Sequence, residues 1–246
     1  MNPETPTPGQ EHPEPQDILL APGKREFWLG LIYIPLHLFL IGSIAYLILQ
    51  ALGRTVSMIE LNLIALLIGT VYLMLIMRRF LQASFTRFLA FGTRNFRVFT
   101  IGYGLRIALG IPITIAIMSL APAGSPNPNQ EAVSGMMDTY FLPSLFLVVV
   151  LAPIVEEILF RGVIFGPLHR RNRVLAYTVS TLVFAFIHVA AFLLLEFHSH
   201  LFLTMLLYIP MGISLCWAYE KSGNIWTPIL LHGVMNLIAV LLGLVV

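Results

Sequence analysis

Seven stretches of this chain are apolar over a length that crosses a bilayer, and polar residues gather between them. They run from 27 to 50, 57 to 77, 98 to 121, 141 to 168, 174 to 195, 201 to 219 and 225 to 246. A helix needs about 20 predominantly apolar residues to cross the hydrocarbon core. An unpaired backbone N–H or C=O in lipid costs several kcal/mol, so such stretches must be helices. The predicted fold is all-α, a polytopic transmembrane helical bundle of about seven spans.

The segments outside these stretches divide by pattern. Residues 1–23 carry six prolines, four acids and no Lys or Arg. They lack the apolar run of a signal peptide, which predicts a disordered cytoplasmic tail ahead of a single transmembrane domain over 24–246. Between the second and third stretches, Leu81, Phe85, Phe88, Leu89 and Phe96 recur at helical spacing while Arg87 and Arg94 fall elsewhere. That spacing predicts an amphipathic helix lying in the cytoplasmic interface, against membrane lipids. The segment 122–130, rich in Pro, Asn and Ser, reads as an irregular outer loop.

Charge supplies the orientation. Eleven basic residues (Lys24, Arg25, Arg78, Arg79, Arg87, Arg94, Arg97, Arg170, Arg171, Arg173 and Lys221) fall on one side of a seven-span arrangement, and Arg54 alone falls on the other. The positive-inside rule then puts the N-terminus in the cytoplasm and the C-terminus outside, as in a multi-pass protein of a bacterial inner or plasma membrane. Composition agrees: 58% of residues are hydrophobic, 11% are charged and mean hydropathy is +0.87, far from a soluble domain. The net charge of +2 is spread over membrane-flanking loops rather than one stripe, which argues against a nucleic-acid partner. Cys216, the single cysteine, lies inside an apolar stretch and forms no internal disulfide.

Polar residues inside the apolar stretches are the candidate chemistry, because charges at membrane depth are costly unless paired or facing a polar cavity. The fourth stretch holds Glu156, Glu157 and Arg161 within six residues. Glu157 and Arg161 are four apart and share a helix face in the favourable order for an ion pair. Glu156 points about 100° away, which leaves it available for a proton. Pro153, one turn earlier, removes a backbone donor and opens the helix beside it. The fifth stretch places Phe184 and His188 one turn apart, and the seventh does the same with His232 and Asn236. Counting inward at about 1.5 Å per residue puts Glu156 and Asn236 roughly 15 Å deep, His232 roughly 10 Å and His188 roughly 20 Å. The expectation is a wet slab near mid-bilayer, displaced toward the cytoplasm. His37 and Arg106 read as helix-to-helix hydrogen bonders or cavity residues, and Glu196, His198 and His200 as a solvated outer turn.

Three motifs now stand in order: Glu-Glu-Ile-Leu-Phe-Arg-Gly at 156–162, Phe-x-x-x-His at 184–188 and His-x-x-x-Asn at 232–236. They resemble the motifs of the CPBP (Abi) family of intramembrane proteases, which includes the type II CAAX prenyl endopeptidases. The resemblance covers about 141–240. It implies an intramembrane endopeptidase acting on a membrane peptide or lipidated protein, near the cytoplasmic leaflet. Glu156 with His188 would activate water, and His232 with Asn236 would stabilise the oxyanion. Glu157, Arg161 and Phe184 would support them. No cofactor is needed for that chemistry. The mechanistic rival is zinc held by Glu156, His188 and His232, since the family was long described as metalloproteases, although no His-Glu-x-x-His helix is present. The functional rivals are a non-catalytic immunity or scaffold protein and a proton-coupled transporter. An internal repeat would favour the transporter, and none is seen.

Overall fold

The computed structural model describes residues 19–120, 127–195 and 200–242. Of the expectations above, most of the tail, most of the outer loop, Glu196, His198 and the side chain of His200 lie outside the described residues. Every regular element among the described residues is helical. In order they are α1 (Lys24–Pro35), α2 (Gly42–Ala51), α3 (Met58–Ile76), α4 (Arg78–Ala90), α5 (Gly92–Leu120), α6 (Pro128–Thr139), α7 (Phe141–His169), α8 (Arg173–Leu195), α9 (His200–Leu206), α10 (Ile209–Ser222) and α11 (Trp226–Leu241).

The polytopic bundle is therefore the observed fold. Among the described residues five helices are long and apolar enough to cross a membrane by themselves: most of α3, α5, α7, the first eighteen residues of α8, and Leu201–Ser222. Helix α1 and the segment Phe39–Ala51 reach that length and apolarity only together, as a broken span or a re-entrant loop bent by 50°, and Pro35 withholds a backbone donor beside the bend. Helix α11, at 16 residues, is apolar but shorter. Outward-facing side chains such as Ile111, Ile115 and Met118 of α5 are apolar and exposed, as lipid-facing residues should be.

Three expected boundaries shift. The sixth stretch is broken at Leu207 and Tyr208, with Pro210 starting the next helix. The amphipathic helix ends at Ala90, so Phe96 belongs to α5; Leu81 is buried while Phe85 and Leu89 are exposed. A helix not expected from the sequence, α6, begins at Pro128. Asn127 caps it by accepting from the Gln130 amide at 3.3 Å.

The core divides into two clusters that meet at α7. One joins Tyr33, Leu73, Met77, Val155, Ile158, Phe165 and Tyr219. The other gathers Phe160, Phe184, Val189, Tyr208, Leu215 and Met235. Helix α7 thus passes through the middle of the bundle, and it widens into π-helical turns over Leu147–Leu151 and Ile158–Phe165. Such widenings re-aim side chains and are frequent at functional sites.

Candidate active site

Pro153 begins the local argument. It has no N–H to donate to the carbonyl four or five residues back, which leaves the Val149 and Val148 oxygens available to other partners. Helix α11 takes both places. Asn236 Nδ2 donates to Val148 O at 2.9 Å, and Gly233 packs so close to Val149 O that a Cβ there would lie 2.6 Å from it. A backbone opening in α7 therefore docks the helix that carries His232 and Asn236.

One turn further along α7 the two glutamates part. Glu157 is fully buried and its Oε1 accepts two bonds, from Arg161 Nη1 at 2.9 Å and from His232 Nδ1 at 2.8 Å. Arg161, also fully buried, donates from Nη2 to Gly212 O at 3.2 Å and lies over the Phe184 ring at 4.6 Å. Phe184 is a hub: it meets Phe160 edge-on and touches the rings of both His188 and His232. The pairing of Glu157 with Arg161 is present, and the bond from Glu157 to His232 was not legible in the sequence, because it joins residues 75 positions apart.

Glu156 faces the other way, into a cavity of about 810 Å³. Its Oε2 is buried without a hydrogen-bond partner among the described residues, and a buried polar atom of this kind calls for water or a ligand. His188 Nε2 stands 3.9 Å from that oxygen and His232 Nε2 stands 4.0 Å from it. Both imidazoles have Nδ1 committed, His188 to the Phe184 carbonyl at 2.8 Å and His232 to Glu157. A carbonyl oxygen only accepts, so His188 Nδ1 carries the hydrogen; Glu157 Oε1, already accepting from Arg161, requires the same of His232. In the neutral rings each Nε2 is then an acceptor turned toward Glu156. The side chains of Glu156 and His188 keep 20% and 15% exposure, and that of His232 only 2%, so the first two meet the cavity most directly.

All four expected polar residues, Glu156, His188, His232 and Asn236, line this one cavity. The lining also includes His37, which bonds Tyr33 through Nδ1 at 2.9 Å, together with Ser43 and Asn62. Arg106 is not part of the lining. Among the lining residues that the sequence reading did not single out, two are tied to each other. Tyr208, at the helix break, stacks on His188 with ring centroids 4.3 Å apart, and its hydroxyl accepts from Asn129 Nδ2 at 3.1 Å. The break beside Pro210 was the available signal for the first; nothing in the sequence singled out Asn129.

One expectation changes direction. Depth counting placed the wet level toward the basic ends of the helices, but the lining runs from Glu156 to the opposite ends: Leu147 and Val148 on α7, Leu61 to Leu66 on α3, Ala239 on α11 and Asn129 on α6. Distance along a helix gives the depth of a side chain, not the side on which the space beside it opens.

The spacing also bears on zinc. Bonds of about 2.0–2.2 Å put tetrahedral ligand atoms roughly 3.4 Å apart. Glu156 Oε2 stands 3.9 Å from His188 Nε2 and 4.0 Å from His232 Nε2, wider than that spacing. A water at about 2.8 Å from each atom bridges such gaps.

Comparison with known proteins reaches the same stretch of chain. Residues 138–238 match the model of the Rce1-like type II CAAX prenyl endopeptidases. The chain is 31% identical over 119 residues to "Putative membrane peptidase YdiL" of Bacillus subtilis, covering 47% of this chain and 44% of that protein. It is 27% identical over 144 residues to "Membrane-embedded CAAX protease MroQ" of Staphylococcus aureus, covering 55% and 53%. It is 28% identical over 121 residues to the YbdI protein of Lactococcus lactis, covering 48% and 60%. The chain thus spans about half the length of the curated relatives it matches. No solved structure matches it. The stretch that carries the three ordered motifs converging on one cavity, residues 138–238, is thus the part of the chain that is similar to the Rce1-like type II CAAX prenyl endopeptidases.

Proposed function

We propose that this chain is an intramembrane endopeptidase that hydrolyses a membrane-associated or lipid-modified peptide with Glu156 as general base. The observation that carries the reading is the unpaired Glu156 Oε2 with two imidazole Nε2 atoms within 4.0 Å of it on a cavity wall. A water among these three acceptors has its hydrogens directed and its oxygen lone pairs turned to the cavity. Attack on a peptide carbonyl carbon passes the water proton to Glu156 and leaves a tetrahedral oxyanion. Asn236 has a second amide hydrogen beyond the one given to Val148 O, and this is the donor for that oxyanion. Collapse breaks the C–N bond, and the proton on Glu156 leaves with the amine. His232, its Nδ1 held by Glu157, serves beside His188 in placing the water rather than beside Asn236 as a neutral donor. The names of MroQ and YdiL, a CAAX protease and a membrane peptidase, support the same reaction class. The chemistry uses no cofactor, and the setting is a bacterial inner membrane with the basic loops in the cytoplasm.

The test is a comparison of membrane peptide profiles from cells carrying the native chain and Glu156→Gln, followed by cleavage of the peptide so found by the purified, reconstituted protein. Loss of general-base catalysis lowers the rate by about 10²–10⁴-fold. Unchanged cleavage by a folded Glu156→Gln protein sinks the assignment. Phenanthroline leaves the rate unchanged on this mechanism; a loss restored by added zinc would replace it with the metal reading.

A further inference from the structure

A third imidazole reaches the cavity from outside the three motifs, and its surroundings decide which of its nitrogens carries hydrogen. A Cβ on Gly30 would lie 2.6 Å from Met77 and from Val163, so α1 sits directly against the end of α3 and against α7. Beyond Pro35 the backbone widens into a π-helical turn over Leu36–Ile41, a form frequent at functional sites. His37 belongs to that turn. It lines the same cavity as Glu156, His188 and His232.

Tyr33 fixes the ring from behind. It is 2% exposed, stacks on Tyr72 with centroids 5.0 Å apart, and its hydroxyl meets His37 Nδ1 at 2.9 Å. That hydroxyl occupies the place a Cβ on Gly69 of α3 would take, and Val155 of α7 packs against the same point. Among the described residues the hydroxyl has no other hydrogen-bond partner. Were it to accept from Nδ1, its own hydrogen would be buried without an acceptor. It therefore donates, Nδ1 of the neutral ring accepts, and the ring hydrogen stands on Nε2. In the charged ring both nitrogens carry hydrogen, so Nε2 is a donor in either state.

His37 is thus the reverse of the other two imidazoles. His188 and His232 have Nδ1 committed as donors and turn Nε2 acceptors toward Glu156, which suits a water; a donor on the same cavity suits an acceptor on the ligand. A peptide backbone offers carbonyl oxygens of that kind, and a polar group that meets one fixes the orientation of the chain. Asn236, on α11, is the donor for the oxyanion, whereas His37 comes from the first span. Accepting the proteolytic reading above, we infer that His37 Nε2 donates to a backbone carbonyl oxygen of the bound peptide away from the bond that breaks. The bond is the same before and during the reaction, so it adds to binding and not to the chemical step.

The ring hydrogen can be located without a substrate, by nitrogen NMR of the reconstituted full chain with isotope-labelled histidine, the His37 signals being those that His37→Gln removes. The expected pattern is a protonated Nε2 and an unprotonated Nδ1, and Tyr33→Phe mixes the two tautomers. Hydrogen on Nδ1 alone overturns the inference. The second measurement uses a synthetic peptide spanning the bond found cleaved in the membrane peptide profiles. His37→Ala raises its KM about tenfold, the size of one hydrogen bond, and leaves kcat within twofold. His37→Gln keeps an N–H donor and recovers most of that loss, which a merely structural role for the ring would not produce. A folded His37→Ala protein with the native KM overturns the inference, as does a variant whose whole loss falls on kcat. Failure of the proteolytic reading is a separate result, since it shows as cleavage indifferent to Glu156→Gln while the effect of His37→Ala on KM for the same peptide stands.

Discussion

Glu157 and His232 lie 75 residues apart in the chain and 2.8 Å apart in the fold, Nδ1 of the imidazole donating to the same carboxylate oxygen that receives Arg161. The second glutamate of the pair therefore orients one imidazole and neutralises a buried guanidinium at once. Removing one partner of a buried charge pair leaves the other uncompensated and costs about 3–5 kcal/mol.

Glu157→Ala is expected to lose that amount of stability, read as a fall in the thermal midpoint in detergent. Glu157→Gln keeps an acceptor oxygen for both donors and should fold, with cleavage slowed by roughly tenfold as His232 loses its fixed orientation. In a double-mutant cycle, Glu157→Gln and His232→Ala should couple by about 0.5–3 kcal/mol. Additive effects would show that the bond does not position the ring.

Tyr208 is expected to act on the reaction through His188. Tyr208→Phe retains the ring stacked at 4.3 Å and gives up the contact with Asn129. It should preserve kcat and raise KM, because α6 loses a tie to the cavity wall. Tyr208→Leu removes the stack and should lower kcat by roughly tenfold through a looser imidazole. If the Phe and Leu variants show the same kcat, the ring has no positioning role.

Gly233 tests the docking of α11 on α7. A Cβ at this position meets the Val149 carbonyl at 2.6 Å, whereas one at Gly104 of α5 meets nothing within 4 Å. Gly233→Ala should destabilise by about 1–3 kcal/mol, the usual cost of overpacking, and should also reduce cleavage because Asn236 is carried by the same helix. Gly104→Ala should change neither. Equal thermal midpoints for the two variants would contradict the close approach.

The helical bundle, most of its spans and the polar residue types that gather at the cavity could be read from the chain, whereas α6 and the break at Leu207 and Tyr208 could not. Apolar length dictates helices in lipid regardless of tertiary context, and the four-residue intervals from Glu157 to Arg161, Phe184 to His188 and His232 to Asn236 put each pair on one helix face. What one helix face cannot express is its partner on another helix. That Glu157 grips His232, that Tyr208 stacks on His188, that Gly233 and Asn236 fill the opening left by Pro153, and that the cavity widens away from the basic end all depend on how α7, α8, α10 and α11 pack together. Periodicity fixes directions within an element; packing decides which directions meet, because close approach between helices is set by side-chain shape summed over the whole interface.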